Sequence, residues 1–411
     1  MTARRALTLA AVLAALAPTS ALARDGEAVR GRQVLDQLLS RACARLSSDL
    51  SRPSAFPGRA PQDPAFVRQL RLSCALRGAR AARVPSAPKV IPASASTSLP
   101  DGAVVQRQRL SRVDGIAMDL VSYASTGLTV GGLLCYPDDG RRRSAVIHIH
   151  GGLGGIFDDP AQSMVKTCID WAQAHDRVAF APSLRGQDGG EGRPELCLGE
   201  ADDVASAATF LRSLDIVDPA RLAVVGGSIG GCVALRGAAK IPGLRAVVAF
   251  VPPTDWKGLV QFHRTAWQPA VETRCDGTPY PWDVGGTALA DVFDDMICGH
   301  PGCADAEYQA RSPLNDLLTQ SAPTLIASAE LDNVVPLAQE VLWSILRQGA
   351  GHPVSVYVVD RCAPPGTPAP ATDVLIHVPA AYHLLSDSAI SSGLLFLMQE
   401  LDLPASAAAQ R

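Results

Sequence analysis

The spacing of hydrophobic residues changes near residue 103 and divides the chain into two parts. From there onward, short apolar runs rich in β-branched residues alternate with longer segments in which apolar residues recur every three or four positions. The first pattern is typical of strands and the second of amphipathic helices. Their alternation predicts βαβ units, and therefore an α/β fold with a mostly parallel central sheet and helices on both faces.

The individual runs predict the order of the elements. Strands are expected at 116–123, 128–136, 145–149, 178–181, 222–225, 246–251, 324–327 and 354–359. Helices are expected at 160–174, 200–214, 229–240 and 336–348. The first two strands are expected to open the sheet as an antiparallel pair.

Two segments before residue 103 follow other patterns. Residues 24–77 show helical spacing in two stretches, with Cys43 in one and Cys74 in the other, which favours a helical hairpin closed by a disulfide. Residues 78–102 are rich in Ala, Pro and Ser and predict a linker. The main α/β domain is therefore expected to cover 103–411.

Residues 256–312 interrupt the alternation inside that domain. They contain three of the five tryptophans, Trp256, Trp267 and Trp282, and many turn-forming residues. A long surface loop is one interpretation. A cap or lid insertion is favoured, because aromatic residues in a loop need a surface to pack against. Its tryptophans are the candidates for substrate binding.

The first 23 residues predict a signal peptide. Arg4 and Arg5 precede a short apolar run, and Ala21 and Ala23 are small residues at the positions that a signal peptidase reads. The run is too short to cross ~30 Å of hydrocarbon, which disfavours a membrane anchor. Cleavage after Ala23 predicts a secreted or periplasmic protein with no stable membrane insertion.

Charge and composition exclude other classes of function. The 411 residues contain 37 Lys+Arg and 40 Asp+Glu, which gives a formal net charge of -3. A chain with this charge has no general electrostatic attraction for a phosphate backbone, so a nucleic-acid partner is not expected. With 47% hydrophobic residues the chain is expected to fold. The ten cysteines are an even number that suits disulfides in an exported protein, although the sequence does not give the pairing.

The most specific motif is Gly226-x-Ser228-x-Gly230, which directly follows a predicted strand and directly precedes a predicted helix. A serine in such a sharp turn projects its hydroxyl, and small neighbours let the backbone fold beneath it. We therefore predict Ser228 as a catalytic nucleophile. A glycine-rich structural turn is the alternative.

A serine needs a base, and the base needs a group that orients it. Asp332 stands in the turn after the strand at 324–327, just ahead of Pro336, and is the predicted orienting acid. His383 follows the apolar run 374–378 and is the predicted base, in the chain order Ser, Asp, His. Glu330 and Asp360 are competing acids.

A glycine-rich loop after the strand at 145–149 predicts an oxyanion hole. The amide of Gly152 is the predicted first donor, with Leu153 as an alternative, and the amide of Ile229 is the second. His148 and His150 alternate along a strand and so share one face, which could suggest a metal site, but no third ligand is evident nearby. Possible zinc ligands are also present at Cys275, Cys298, His300 and Cys303, but disulfides explain cysteines in an exported protein better. No metal or cofactor is expected.

Over about residues 112–400 the sequence resembles the α/β-hydrolase superfamily, and most of all the catalytic domain of the prolyl oligopeptidase family and its dienelactone-hydrolase-like relatives. The motifs that carry the resemblance are His150-Gly-Gly, Ser183-Leu-Arg185-Gly186, Gly226-Gly-Ser228-Ile-Gly-Gly, Pro252-Pro-Thr-Asp255-Trp256, Ser312-Pro-Leu-Asn315 and Asp332-Asn-Val-Val-Pro336. It implies an α/β-hydrolase fold, with Ser228, Asp332 and His383 at the triad positions.

These observations predict an exported serine hydrolase that acts on a small ester or a short peptide through an acyl-enzyme intermediate. Carboxylesterase activity is slightly favoured, because residues 24–102 are too few for the β-propeller that family peptidases carry, and no acidic pair for a free amino terminus is evident. A prolyl-oligopeptidase-type peptidase is the first alternative. A non-catalytic binding protein on the same fold is the second.

Overall fold

The computed structural model describes residues 99–403, except for 159–162, 276, 363–372 and 384–386. The predicted signal peptide, the helical segment 24–77 with Cys43 and Cys74, and nearly all of the linker lie outside the described residues. Within the described part of the chain, no helix is both long enough and apolar enough to cross a bilayer.

The centre of the described part is a ten-stranded sheet in the order β1-β2-β3-β5-β4-β6-β7-β10-β12-β11. Pairs among β1, β2, β3 and β5 are antiparallel, and all later pairs are parallel. The strands are β1 (Val104–Val113), β2 (Ile116–Ser125), β3 (Leu128–Pro137), β4 (Arg143–Ile149), β5 (Val178–Ser183), β6 (Val217–Gly227), β7 (Ala246–Phe250), β10 (Thr324–Ala329), β11 (Val354–Val358) and β12 (Asp373–Val378). A separate antiparallel hairpin consists of β8 (Ala270–Thr273) and β9 (Pro279–Trp282). The predicted fold class is confirmed.

Helices cover both faces of the sheet. They are α1 (Ser163–Gln173), α2 (Glu200–Arg212), α3 (Ile229–Ala238), α4 (Trp256–Thr265), α5 (Gly286–Cys298), α6 (Asp305–Gln309), α7 (Ala338–Gly349) and α8 (Asp387–Asp402), with a 3-10 turn at Pro313–Asp316. Buried residues of α1 and α8 form one core, and those of α2 to α5 and α7 form the other.

Strand β6 shows why a mostly parallel sheet results. Leu222 and Val224 point into one core and Ala223 and Val225 into the other, and all four are fully buried. A strand buried on both faces reads as a continuous apolar run rather than as an alternation of apolar and polar residues. This run ends at the two glycines that precede Ser228.

The strands and helices predicted after residue 103 all occur in the described part of the chain, with bounds shifted by a few residues. The helix expected at 336–348 begins at Ala338. The sequence did not predict β1 or the β8–β9 hairpin. Strand β1 is polar and half exposed, so it lacks the apolar run that signals a strand.

Four disulfides connect the described cysteines: Cys135–Cys168, Cys197–Cys232, Cys275–Cys362 and Cys298–Cys303. Every cysteine in the described part of the chain is paired. The disulfide interpretation is therefore confirmed here, and the zinc alternative at Cys298 and Cys303 is wrong because each sulfur is bonded to the other.

Candidate active site

Ser228 occupies the sharp turn between β6 and α3. Its φ of 54° is a conformation that residues other than glycine rarely adopt, and its amide donates to the carbonyl oxygen of Phe250 at 2.8 Å. A Cβ on Gly226 would lie 2.2 Å from the oxygen of Gly230, and a Cβ on Gly230 would lie 2.3 Å from the oxygen of His150. The glycines of the motif are therefore needed for close backbone contact.

The side chains of Ser228, His383 and Asp332 form one hydrogen-bonded chain. The Oγ of Ser228 lies 3.0 Å from Nε2 of His383, and Nδ1 of His383 lies 2.8 Å from Oδ2 of Asp332. If Nδ1 carries the proton and donates to Asp332, then Nε2 is free to accept the proton of the serine. The three elements that carry these residues, β6, β10 and β12, bring them to the carboxyl edge of the sheet.

The loop after β10 fixes the carboxylate of Asp332. Its Oδ1 accepts hydrogen bonds from the amides of Val334 and Val335, both at 2.8 Å, and the residue is 5% exposed. The carbonyl oxygen of Val334 in turn accepts from Nε2 of His263 at 2.8 Å, and burial lowers the pKa of His263. A neutral His263 therefore holds the loop that holds Asp332.

The competing acids form other contacts. Glu330 accepts from the amide of Ala380 at 2.9 Å, and Asp360 accepts from the amide of Cys362 at 2.8 Å. Asp332 is the acid whose carboxylate meets the imidazole of His383. The geometry thus brings together the same three residues that the sequence pattern selects.

The glycine-rich loop after β4 lies directly beside the serine. A Cβ on Gly151 would lie 3.0 Å from the carbonyl oxygen of Gly227 and 3.4 Å from the Cβ of Ser228, so the two segments are closely packed here. Gly152 has a φ of 76°, in the left-handed region. Ile229 is the first residue of α3, and an amide in the first turn of a helix has no acceptor within that helix. Ile229 directly follows Ser228, and Gly152 directly follows Gly151, which packs against Ser228, so both predicted oxyanion donors lie in segments next to the predicted nucleophile.

The segment after β5 supports this loop from below. Asp188 accepts from Ser183 Oγ at 2.6 Å and from the amide of Ile156 at 2.8 Å. Its carboxyl group occupies the space that a Cβ on Gly155 would need. Burial raises the pKa of Asp188. The same segment supplies Gln187, whose Oε1 lies 2.9 Å from Nε2 of His150.

A buried ion pair anchors the segment after β5 to the sheet. Arg185 binds Asp203 through Nε at 3.1 Å and through Nη2 at 2.9 Å, and Asp203 is fully buried. Ser125 at the end of β2 donates to the same carboxylate at 2.7 Å. This pair accounts for the arginine of the Ser-Leu-Arg-Gly motif, which connects α2 to the segment that supports the glycine-rich loop after β4.

The three tryptophans of the segment 256–312 have different environments. Trp256 is fully buried at the start of α4 and packs edge-on against Phe293, so its predicted role in substrate binding is wrong. The half-buried Trp267 lies against Gly285 and Gly286. Trp282 lies beside the proposed base, with its ring centroid 6.2 Å from that of His383 and the two planes at 84°.

Sequence reasoning missed the residues that contact Trp282 and the turn before His383. Glu272 accepts from Nε1 of Trp282 at 3.0 Å and from Arg361 at 3.2 Å, and Arg361 donates to the carbonyl oxygen of Ala380 at 3.0 Å. A glutamate in an unrecognised hairpin and an arginine beside a proline-rich loop carry no motif. Their cysteine neighbours, which pair as Cys275–Cys362, were the available signal.

His148 has a structural role. Its Nδ1 accepts from the indole of Trp171 at 3.1 Å, and burial together with His150 lowers its pKa to about 4. This half-buried, neutral imidazole is bonded to the indole of Trp171, which belongs to the core.

Three comparisons place the chain among known proteins. Residues 146–386, more than half of the chain, match the model described as "Alpha/beta hydrolase family". The uncharacterized peptidase YtmA of Bacillus subtilis (strain 168) is 27% identical over 242 residues, which cover 58% of this chain and 83% of that protein.

Two solved structures have a similar fold. An acetyl xylan esterase from Paenibacillus sp. R4 is 16% identical with a TM-score of 0.51, covering 72% of this chain and 88% of that chain. Acetyl xylan esterase 1 from Thermoanaerobacterium sp. JW/SL YS485 is 15% identical with a TM-score of 0.50, covering 72% and 87%. At these identities the likeness concerns the fold.

Proposed function

The chain belongs to the alpha/beta hydrolase family and is a serine hydrolase, and we propose that it is an exported carboxylesterase that uses Ser228, His383 and Asp332. The observation that carries this proposal is the continuous hydrogen-bonded chain from Asp332 through His383 to Ser228, at 2.8 Å and 3.0 Å.

The residues divide the reaction between them. Ser228 Oγ attacks the carbonyl carbon of the ester while Nε2 of His383 takes its proton, and Asp332 stabilises the imidazolium that forms. The amides of Gly152 and Ile229 stabilise the oxyanion. His383 then protonates the leaving alcohol, and water attacks the acyl-enzyme with the same histidine as base.

An ester is favoured over a peptide because of the acids around the triad. A peptidase that trims short peptides usually binds the free ammonium group with unengaged carboxylates. Among the described residues, Glu272, Glu330 and Asp188 already accept hydrogen bonds from protein groups. The similarity to a protein that is named a peptidase supports the alternative of a short-peptide substrate.

Two features support a location outside the cytoplasm. The first 23 residues have the charge and hydrophobicity of a signal peptide. Four disulfides in the described part of the chain fit an oxidising compartment, where such bonds persist. N-terminal sequencing of the protein from culture fluid or periplasm tests this directly, and an amino terminus at Arg24 is the expected result.

The test of function begins with fluorophosphonate labelling of wild type and of Ser228→Ala. Labelling of wild type alone is expected, and an unlabelled wild type would favour a binding protein on a hydrolase fold. A series of p-nitrophenyl esters of increasing acyl length is then compared with aminoacyl and dipeptidyl nitroanilides. Because p-nitrophenyl esters are intrinsically more reactive, each kcat/KM is divided by the rate constant for uncatalysed hydrolysis of the same substrate. A larger ratio for an ester supports the esterase, and a larger ratio for an anilide supports the peptidase.

A further inference from the structure

The turn that carries His383 is held from outside the sheet. Strand β12 ends at Val378, and the backbone reaches His383 through Ala380, whose φ is 54°. A residue other than glycine keeps such a conformation only when its surroundings enforce it. Here the amide of Ala380 donates to Glu330 at 2.9 Å and its carbonyl oxygen accepts from Arg361 at 3.0 Å.

Arg361 also binds the β8–β9 hairpin. It donates to Oε1 of Glu272 at 3.2 Å and to the carbonyl oxygen of Thr273. The neighbouring Cys362 forms a disulfide with Cys275 in the hairpin turn. The hairpin and the turn before His383 are therefore held by one arginine and one covalent bond.

Glu272 connects Arg361 to Trp282, the aromatic residue beside His383. Its Oε2 accepts from Nε1 of Trp282 at 3.0 Å, and Glu272 and Trp282 are each only 7% exposed. Trp282 stacks on Tyr382 with the ring planes at 6° and lies edge-on to His383 with the planes at 84°. Asn333 completes the contact by donating to the carbonyl oxygen of Trp282 at 3.1 Å.

We propose that Glu272 is a positioning residue for His383, which it orients through Trp282 while Arg361 fixes Glu272 and the turn at Ala380. This inference rests on the proposed role of His383 as the base. Glu272 has one carboxylate oxygen for each of its two donors. A carboxylate accepts at both oxygens, whereas an amide accepts at one and places a donor where the other stood.

The decisive variant is therefore Glu272→Gln, which keeps the size of the side chain and must lose one of the two bonds. With a p-nitrophenyl ester, we expect kcat to fall about 10- to 100-fold while KM stays within about twofold, because small displacements of a catalytic group cost that much. Trp282→Phe keeps an aromatic ring and removes the indole donor, and a smaller decrease of the same kind is expected. If Glu272→Gln fails to fold, Trp282→Phe serves as the test variant in its place.

The control is the same substitution in another glutamate–arginine pair. Glu307 binds Arg311 at 3.0 Å and is 41% exposed at its side chain, and Glu307→Gln should leave kcat and KM unchanged. The second readout is the low-field proton resonance of Nδ1–H in His383. It should weaken or exchange faster in Glu272→Gln and persist in Glu307→Gln.

Two results would overturn the inference. One is a kcat of Glu272→Gln within about twofold of wild type. The other is a decreased kcat with an unchanged resonance and a lower Tm, which would indicate a general loss of stability. If wild type proves inactive on every substrate and unlabelled by fluorophosphonate, the proposed function fails instead. The resonance still tests the positioning in that case, because it reports the bond between His383 and Asp332 without turnover.

Discussion

The two halves of the candidate site are held in place by different kinds of contact. On the nucleophile side, the turn at Ser228 is fixed by backbone packed on backbone, with glycines where a Cβ would collide, and the side chain of Asp188 supports the neighbouring glycine-rich loop. On the base side, Asp332 and His383 stand on longer loops and are held by side chains such as Glu272 and Arg361. The first half is held by close backbone packing, which leaves no space for a Cβ at its glycines. The second half is held by hydrogen bonds between polar side chains.

This difference predicts how substitutions in each half should affect activity and stability. An added methyl group on the nucleophile side displaces main chain, so activity and stability should fall together. A change of one atom on the base side leaves the packing intact, so activity should fall while stability stays close to wild type.

The largest effect on activity is expected for Asp332→Asn. An amide cannot accept from His383 and from the amides of Val334 and Val335 as the carboxylate does, and it favours the wrong tautomer of the imidazole. We expect kcat for an ester to fall roughly 10⁴-fold, as for the equivalent change in other serine hydrolases. Thermal unfolding should change little. A loss below about tenfold would mean that Glu330 or Asp360 orients the base.

Gly230→Ala should break the nucleophile side. The new Cβ would lie 2.3 Å from the oxygen of His150 and 2.7 Å from that of Ile149, neither of which can move alone. We expect a loss of about 1–3 kcal/mol in the free energy of unfolding and about 100-fold in kcat. Urea unfolding and ester kinetics measure the two. Gly349→Ala is the control, since nothing lies within 4 Å of its Cβ position.

Asp188→Ala tests the side-chain support under the oxyanion loop. It leaves the buried hydroxyl of Ser183 and the amide of Ile156 without their acceptor, at a cost of about 1–3 kcal/mol in stability. A decrease of roughly tenfold in kcat is expected, since the loss of one oxyanion donor costs 10²–10³ and here the donor is only displaced. Asp188→Asn, which can still accept from both groups with one oxygen, should recover most of the rate. Equal losses in both variants would contradict this account.

Glu200→Gln should leave activity nearly unchanged and alter the pH dependence of stability. Burial raises the pKa of Glu200 to about 7, whereas an exposed glutamate titrates near 4.3. The folded state thus binds this proton more tightly, so its contribution is full below about pH 4 and is lost as the pH rises through 7. That loss is of the order of 3 kcal/mol. Urea unfolding from pH 4 to pH 8 should show a shallower decline in the variant.

The sequence predicted the strand, turn and helix around Ser228 well because the constraints on them are local. A strand, a glycine pair, a serine and a helix follow one another within Leu222–Ala238. The glycines in this segment directly indicate that the backbone is closely packed there. Asp332 and His383 were predicted because each closely follows an apolar strand. The topology of the sheet then brings the three together.

The support on the base side could not be predicted in the same way. Glu272 and Arg361 are 89 positions apart and meet only because the hairpin folds over the end of β12. Trp256 was misassigned for a related reason. Three tryptophans in one excursion indicate an aromatic cluster, but the sequence does not show which of them faces the core and which faces the base.

The position of β12 in the sheet has a consequence for how the molecule folds. It is inserted between β10 and β11, both of which precede it in the chain. Until it enters, β10 and β11 each present an unpaired edge, and His383 has no place beside Ser228. Unpaired strand edges favour edge-to-edge aggregation. The pairing of β12 between β10 and β11 therefore closes both edges and also brings His383 to Ser228.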